Sequence, residues 1–589
     1  MRGSFFPRFL VIFSIFLFAW LLVGCEIEAE KTRKPSDDWS RGLPLGTEVF
    51  GTVGMTVDPN SGSIHVVWPL WSEAKGLGIH YARINETSQV EFENEVMQFS
   101  GQVRQPRLIA ADGQLLHLFW AGRTERSEEW QLWYVQFDQQ GDVQGDPTQL
   151  SLVTSGVSKY EVASDLNGGV VVAWEDTESG SIKFAHISSS GEMLVAPVTV
   201  VSEGTMPAIR VDSQKQVHLV WFADIGDLMY QVLDSAPKPK TGTLIAHIPL
   251  GTGPRLYGPA LGIADQWVYV FWSVLKQSGL EAGTAKTQYI AFPVDAQEKT
   301  PTIFDVGILP LEAQPYQPDE GDFTYTQLVP ANYVTRSSAF IYDPVIAESQ
   351  NDELAVSLAF YQQYRLDGHI QIVVLIMEDG EYKGYSVATK TQAISSDIAL
   401  SADAEGNLHL VWRDGFSGEH IYYTTTEVEA RDKLDRFTIR DLLTLVTAGG
   451  MESFAGILLF PLAFPWIFPG LVVVVVWRLV RNDEDLNNKA SQAILGISIL
   501  LYQGTKILIF PTIVNYVPFS AWVDIPVSWQ LPLRIAIPLL ILGLGVAVSE
   551  WQRRRSKLLP STLRYYFTVA IFDMVLTLAI YGVNFLGAY

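Results

Sequence analysis

Cysteine is almost missing from this chain: its 589 residues hold one, Cys25. A lone thiol builds neither a disulfide framework nor a cysteine zinc site. Positive charge is scarce over most of the length. Residues 26–440 carry 29 Lys and Arg against 56 Asp and Glu, a balance of −27. Nucleic-acid backbones are gripped by clustered Lys and Arg, so this stretch is no nucleic-acid binder. Its acidity reads as a solubilising surface. Residues 441–589 differ, with 8 acidic and 10 basic side chains among long apolar runs. The chain is too long for one core, and two or three domains are expected.

What is abundant is a repeat. Seven short apolar strands end in a large aromatic: Trp68, Trp120, Trp174, Trp221, Trp272, Phe360 and Trp412. Successive spacings are 52, 54, 47, 51, 88 and 52 residues. A period near fifty with several strands per unit is the mark of a propeller blade. Each unit also has an upstream strand and turn, as in Asp403-Ala404-Glu405-Gly406-Asn407, where Asp, Gly and Asn suit a hairpin. Downstream, a third strand carries an aromatic, as in Ile79-His80-Tyr81. A fourth, more variable strand fits before the next unit, for example Val90–Phe99. The expectation is a seven-bladed all-β propeller over 43–430, with an insertion at about 292–339 that accounts for the one long spacing or hides an eighth blade. Thr47-Glu48-Val49-Phe50 reads as a spare strand that closes the ring as the outer strand of the last blade. The "G-x-hydrophobic-H-hydrophobic-hydrophobic-W" form of Gly406–Trp412 resembles the repeats of sialidase-like (BNR-type) propellers. That resemblance implies the architecture and no particular activity.

The N-terminus is basic at Arg2 and Arg8. An apolar run, Phe9–Val23, follows, short for a span of about 20 residues. Leu22-Val23-Gly24-Cys25 resembles the lipobox of bacterial lipoproteins. The resemblance implies a signal peptide over 1–24 and lipidation of Cys25, with 25–42 as a polar tether. An uncleaved anchor is the alternative.

Residues 441–589 are expected to form an α-helical transmembrane bundle of about four spans: Ile457–Val480, Ala493–Ile513, Leu531–Val548 and Tyr566–Leu586. Five is the fallback. Arg478, Arg481, Lys489, Arg553, Arg554, Arg555, Lys557 and Arg564 cluster at one set of ends, whereas 514–530 has no Lys or Arg and four aromatics, among them Trp522 and Trp529. Positive loops stay in the cytoplasm. The propeller and the C-terminus are therefore expected on the extracytoplasmic side of a bacterial cytoplasmic membrane, which a lipidated Cys25 also demands.

Candidate chemistry is sparse. His65, His117, His218 and His409 recur three residues before the repeat aromatic and read as packing residues rather than a metal ring. Acidic turns such as Asp165-Leu166-Asn167-Gly168 match no calcium loop. No metal and no cofactor is expected. Arg107, Arg210 and Arg255 follow prolines near first strands and are candidates for a carboxylate-binding triad, yet the sialidase entry motif and its Ser-x-Asp-x-Gly-x-Thr-Trp box are absent, so no catalytic residue is carried over. In the membrane, Lys506 and Asp573 form a candidate polar pair. The expected function is a membrane-anchored module that binds a protein, peptide or glycan and is more a binder than an enzyme. The alternatives are a sialidase-like glycoside hydrolase and a structural subunit of an envelope complex or transporter. Arg and carboxylate side chains converging in the channel would favour the enzyme.

Overall fold

The computed structural model describes residues 31–581, apart from 307–340 and shorter stretches of at most six residues. Cys25 and the rest of the signal segment lie outside the described residues, as does most of the expected insertion. The chain forms two compact units, one built on Glu30–Gln363 with Gly368–Arg436 and the other on the residues from Phe437 onward.

The first unit is a seven-bladed β-propeller. Its strands form seven antiparallel four-stranded sheets, six of them in simple meander order. The inner strands are Gly54–Val57, Gly101–Ala110, Val157–Ser164, Thr205–Val211, Arg255–Ala264, Ile341–Ile346 and Ser395–Ala402. Each touches the next around the ring, and the seventh touches the first. The repeat aromatics lie on the second strands. All six tryptophans are fully buried, Trp120, Trp272 and Trp412 at 0% exposure. They fill the wedges between neighbouring sheets, where truncating such a residue costs about 3–5 kcal/mol.

The ring closes with the first strand among the described residues. Leu43–Thr47 pairs antiparallel with His420–Thr425, with Leu43 opposite Tyr423 and Thr47 opposite His420. It thus supplies the outer strand of blade seven. The closing segment is earlier than the expected Thr47–Phe50, because Val49 only bridges to Leu70 in blade one. Residues 31–42, expected as a tether, pack on blades six and seven. Trp39 is buried there, with its indole N–H donating to Ser386 Oγ at 2.8 Å. This segment also meets the exit helix Val428–Leu434 and the residue after it: Lys31 Nζ donates to Leu434 O at 2.9 Å and Arg41 N to Asp435 Oδ1 at 2.9 Å. The long spacing is no eighth blade among the described residues. Phe304–Asp305 is the outer strand of blade five, and residues 307–340 follow it before blade six.

In the second unit three helices are long and apolar enough to cross a membrane: Lys489–Ile509, Ser528–Arg555 and Thr562–Tyr581. The expected first span is instead a bent pair, Phe460–Trp466 and Phe468–Arg481, broken by 51°. Four spans are reached only if that pair counts as one. Pro461, Pro465 and Pro469 explain the bend, since each lacks the N–H that an unbroken helix would use. Tyr566 Oη donates to Ile467 O at the break, at 2.6 Å. Gly470 permits this approach, because a Cβ there would sit 2.4 Å from both Tyr566 Oη and Ser498 O.

Candidate functional site

All seven inner strands line one central cavity of about 1350 Å³. This exceeds the volume of ordinary small-molecule pockets, about 300–1,000 Å³. Its walls are shaped by a repeated defect. In six blades the register of the inner strand slips at the same place, between Arg104 and Arg107, Val157 and Tyr160, Thr205 and Ala208, Tyr257 and Ala260, Tyr342 and Val345, and Ser396 and Ala399. Such bulges re-aim side chains. Gln105, Met206, Asp343 and Asp397 sit in them with φ of 54°, 53°, 61° and 52°. This left-handed backbone is unfavourable for residues other than glycine, at about 1–3 kcal/mol each, and concentrates at ligand sites. Four of the six bulged blades place a proline directly after the positive-φ residue, at Pro106, Pro207, Pro259 and Pro344.

Four cations and three carboxylates line the cavity: Arg107, Lys159, Arg210 and Arg255 with Glu161, Asp343 and Asp397. The structure therefore brings the three sequence-selected arginines into one cavity, but not as three free guanidiniums. Arg210 Nη1 is 3.6 Å from Glu161 Oε1 and donates to Ile209 O at 2.9 Å. Asp397 is held by Arg413, whose Nε donates to its Oδ2 at 2.6 Å. Lys159 Nζ donates to a carbonyl, Gly258 O, at 3.2 Å. Arg107 has no hydrogen bond or ion pair among the described residues. Arg255 has only the face of Tyr257, with Cζ 4.9 Å from the ring centre. Tyr257 and Tyr342 meet edge to face at 5.3 Å. The carboxylate of Asp343 is also unpaired among the described residues. Burial raises its pKa above the usual carboxylate range, and Asp397 adds to that; Lys159, Arg107 and Arg255 oppose it. Burial lowers the pKa of Lys159. The sequence reading missed Lys159, Glu161, Tyr257, Asp343 and Asp397. A usable signal existed for Tyr257 and Asp343, which lie beside Pro259 and Pro344 at the start of their units; Lys159, Glu161 and Asp397 have no such neighbour.

The recurrent histidines do not converge. His65, His117, His218 and His409 each place Nδ1 within 2.7–2.9 Å of a third-strand tyrosine hydroxyl in their own blade, Tyr81, Tyr134, Tyr230 and Tyr423. Blade three is an internal control. Val171 stands at the histidine position, and the tyrosine position is Phe184, so both polar partners vanish together. Nε2 of His218 and His409 meets the turn carboxylates Asp212 and Asp403 at 3.1 and 3.4 Å. Asp165 spends Oδ1 on the amides of Asn167 and Gly169, both at 2.7 Å, which is turn capping rather than calcium binding. Among the described residues no group of three or more His, Cys, Asp or Glu could hold a metal ion.

In the helical unit, Lys506 Nζ lies 2.6 Å from Asp573 Oδ2, and both side chains are fully buried. Tyr502 Oη donates to Asp573 Oδ2 at 2.8 Å, Gln503 Nε2 to Oδ1 at 3.1 Å, and Lys506 Nζ to Thr577 Oγ1 at 3.0 Å. The helices Lys489–Ile509 and Thr562–Tyr581 thus share a closed polar network. Removing one partner strands the other charge. Asp573→Leu is expected to cost about 3–5 kcal/mol, and adding Lys506→Leu should recover most of it. Thermal unfolding of the detergent-solubilised chain checks this; an Asp573→Leu single variant as stable as the parent would refute it.

No protein-family model and no curated protein matches this chain. Solved structures to which it is similar include an ulvan lyase of a polysaccharide-lyase family, at 10% identity and a TM-score of 0.40 over 67% of this chain and 100% of that one. Another is the NanB sialidase of Streptococcus pneumoniae, at 11% identity and TM-score 0.34 over 69% and 71%. A third is an exo-beta-1,3-galactanase of Phanerochaete chrysosporium, at 12% and 0.30 over 66% and 96%. These likenesses carry no argument about what the chain binds.

Proposed function

We propose that the propeller is a binding module for an anionic saccharide, taken into the central cavity, and that the apolar helices hold it in a bacterial cytoplasmic membrane. In this reading the propeller faces the extracytoplasmic side and Cys25 carries a second, lipid anchor. The observation that carries the proposal is Arg107 and Arg255, two guanidiniums without carboxylate partners among the described residues, in a unit whose overall balance is strongly negative. A guanidinium with no direct carboxylate partner in a concave, partly desolvated site suits an anion on the ligand. Tyr257 offers an apolar surface for a sugar ring, and Asp343 accepts from hydroxyls. Lys506 and Asp573 clamp two of the supporting helices.

Calorimetric titration of the full-length protein with galacturonate oligomers tests this. The Arg107→Ala/Arg255→Ala variant is expected to bind at least about 30-fold more weakly. Equal binding by both proteins, or preference for a neutral oligosaccharide, would refute the reading. A second reading, glycoside-bond cleavage, is favoured by the convergence of arginines and carboxylates in the cavity and by the carboxyl of Asp343, which burial keeps protonated to higher pH than usual against the pull of the nearby arginines. Shortened oligomers in the same titration mixture would establish it.

A further inference from the structure

A second arginine-bearing group adjoins the cavity. Trp130 is half-buried at the start of blade two's third strand, and two guanidiniums approach its indole: Arg104 Cζ at 4.1 Å and Arg123 Cζ at 5.2 Å from the ring centre. Neither arginine has a carboxylate partner among the described residues. Arg104 donates from Nη2 to Val157 O at 3.0 Å, and Arg123 from Nη2 to Gln102 Oε1 at 2.5 Å. Glu129, the neighbour of Trp130, lies over Gly156, where a Cβ would be 2.5 Å from its Oε2. Two like charges share one ring, and burial and the charge of Arg123 both lower the pKa of Arg104.

The surroundings are arranged rather than loose. Val157 N donates to Trp130 O at 2.8 Å, and Gln131 Nε2 donates to Val153 O at 2.8 Å. The loop so fixed holds Leu152 and Val153 in solvent, at 67% and 69% exposure. The group is continuous with the cavity. Arg104 Nη2 reaches Ser158 O at 3.4 Å, Ser158 lines the cavity, and Arg104 shares its strand with the cavity residue Arg107.

We propose that Arg104, Trp130 and Arg123 form an outer subsite for the next anionic sugar of a chain whose terminal residue occupies the central cavity, so that the ligand is an acidic oligosaccharide and not a single sugar. This rests on the reading of the central cavity as an anionic-saccharide site. The two guanidiniums take the carboxylate or sulfate, and the indole edge with Leu152 and Val153 takes the apolar face of the ring. The cavity volume, too large for a single ring, agrees.

The test titrates the full-length protein in detergent with galacturonate monomer and tetramer, and with a sulfated tetrasaccharide of equal length. The tetramer of at least one anion type is expected to bind about tenfold or more tightly than the monomer. Trp130→Ala and, as a milder change on the surface, Arg123→Gln should each erase that advantage and leave monomer binding unaltered. An advantage that survives both substitutions overturns the subsite, as do monomer and tetramer of equal affinity while Arg107→Ala still weakens both; in these cases the central site stands. Binding indifferent to Arg107→Ala/Arg255→Ala overturns the central reading itself. Tighter binding of a polyglutamate peptide than of either tetramer overturns the saccharide assignment.

Discussion

A chain lacking Leu43–Thr47 is expected to lose about 5 kcal/mol of propeller stability and the single sharp transition of its melting curve. The strand leaves His420–Thr425 with an unpaired edge. Its ladder joins Leu43 to Tyr423, Pro44 to Tyr422, Gly46 to Ile421 and Thr47 to His420. The lost ladder bonds contribute about 1 kcal/mol each, and the exposed Leu45, now 7% accessible, about 2 kcal/mol more. The loss is not local. Every other sheet is built from consecutive strands, and only blade seven joins the two ends of the unit. Opening it frees blade one from blade seven, and the fully buried Trp68 and Trp412 lose neighbours. Differential scanning calorimetry of the truncated and parent proteins decides the point. A truncated protein melting at the parental temperature would rule out strand closure as a source of stability.

Acid should unfold the propeller in a window set by its buried histidines. Burial holds His65 and His117 down from 6.5 to about 4. It lowers His218 as well, against the pull of Asp212. The folded state thus keeps these rings neutral where the unfolded chain already protonates them. The unfolded state binds more protons as the pH falls below 6.5, so stability is intact above 6.5, declines towards 4 and levels off below it. Each of the first two sites contributes about 3 kcal/mol to that decline. Carboxylates titrate in the same range, so the histidine share is isolated by difference. Blade three shows that valine and phenylalanine satisfy the site without a proton. The variant His65→Val/Tyr81→Phe/His117→Val/Tyr134→Phe is expected to lose about 6 kcal/mol less than the parent between neutral pH and pH 4, as read from denaturant unfolding. Parallel stability curves for the two proteins would show that the histidines are not the acid-labile elements.

These features differ in how openly the sequence displayed them. The seven sheets were legible because each needs a large aromatic at the same depth of its second strand, and Trp68 to Trp412 keep that spacing despite variable loops. The histidines were legible as packing residues, yet their tyrosine partners were not, since the bond crosses from the second strand to the third with an offset that spacing alone does not fix. The cavity was the least visible part. Arg107, Lys159, Arg255 and Asp343 come from four different blades, and only closure of the ring makes them neighbours. Their orientation depends on bulges, and a proline at a recurring phase marks the blades of Arg107, Arg255 and Asp343 but not that of Lys159. The first span was drawn across Pro461, Pro465 and Pro469, where an apolar run of sufficient length folds as a bent pair of helices, so that four spans are reached if the pair counts as one.

The pairing of residues 31–42 with the exit helix has a mechanical corollary. Incoming and outgoing leads are fastened together, by Lys31 to Leu434 and Arg41 to Asp435, before either reaches the ring. Tension applied at one lead passes to the other across this clasp, and the blades between them are bypassed. Stretching would undo the clasp first and the closing strand second, leaving the other six wedges to yield last.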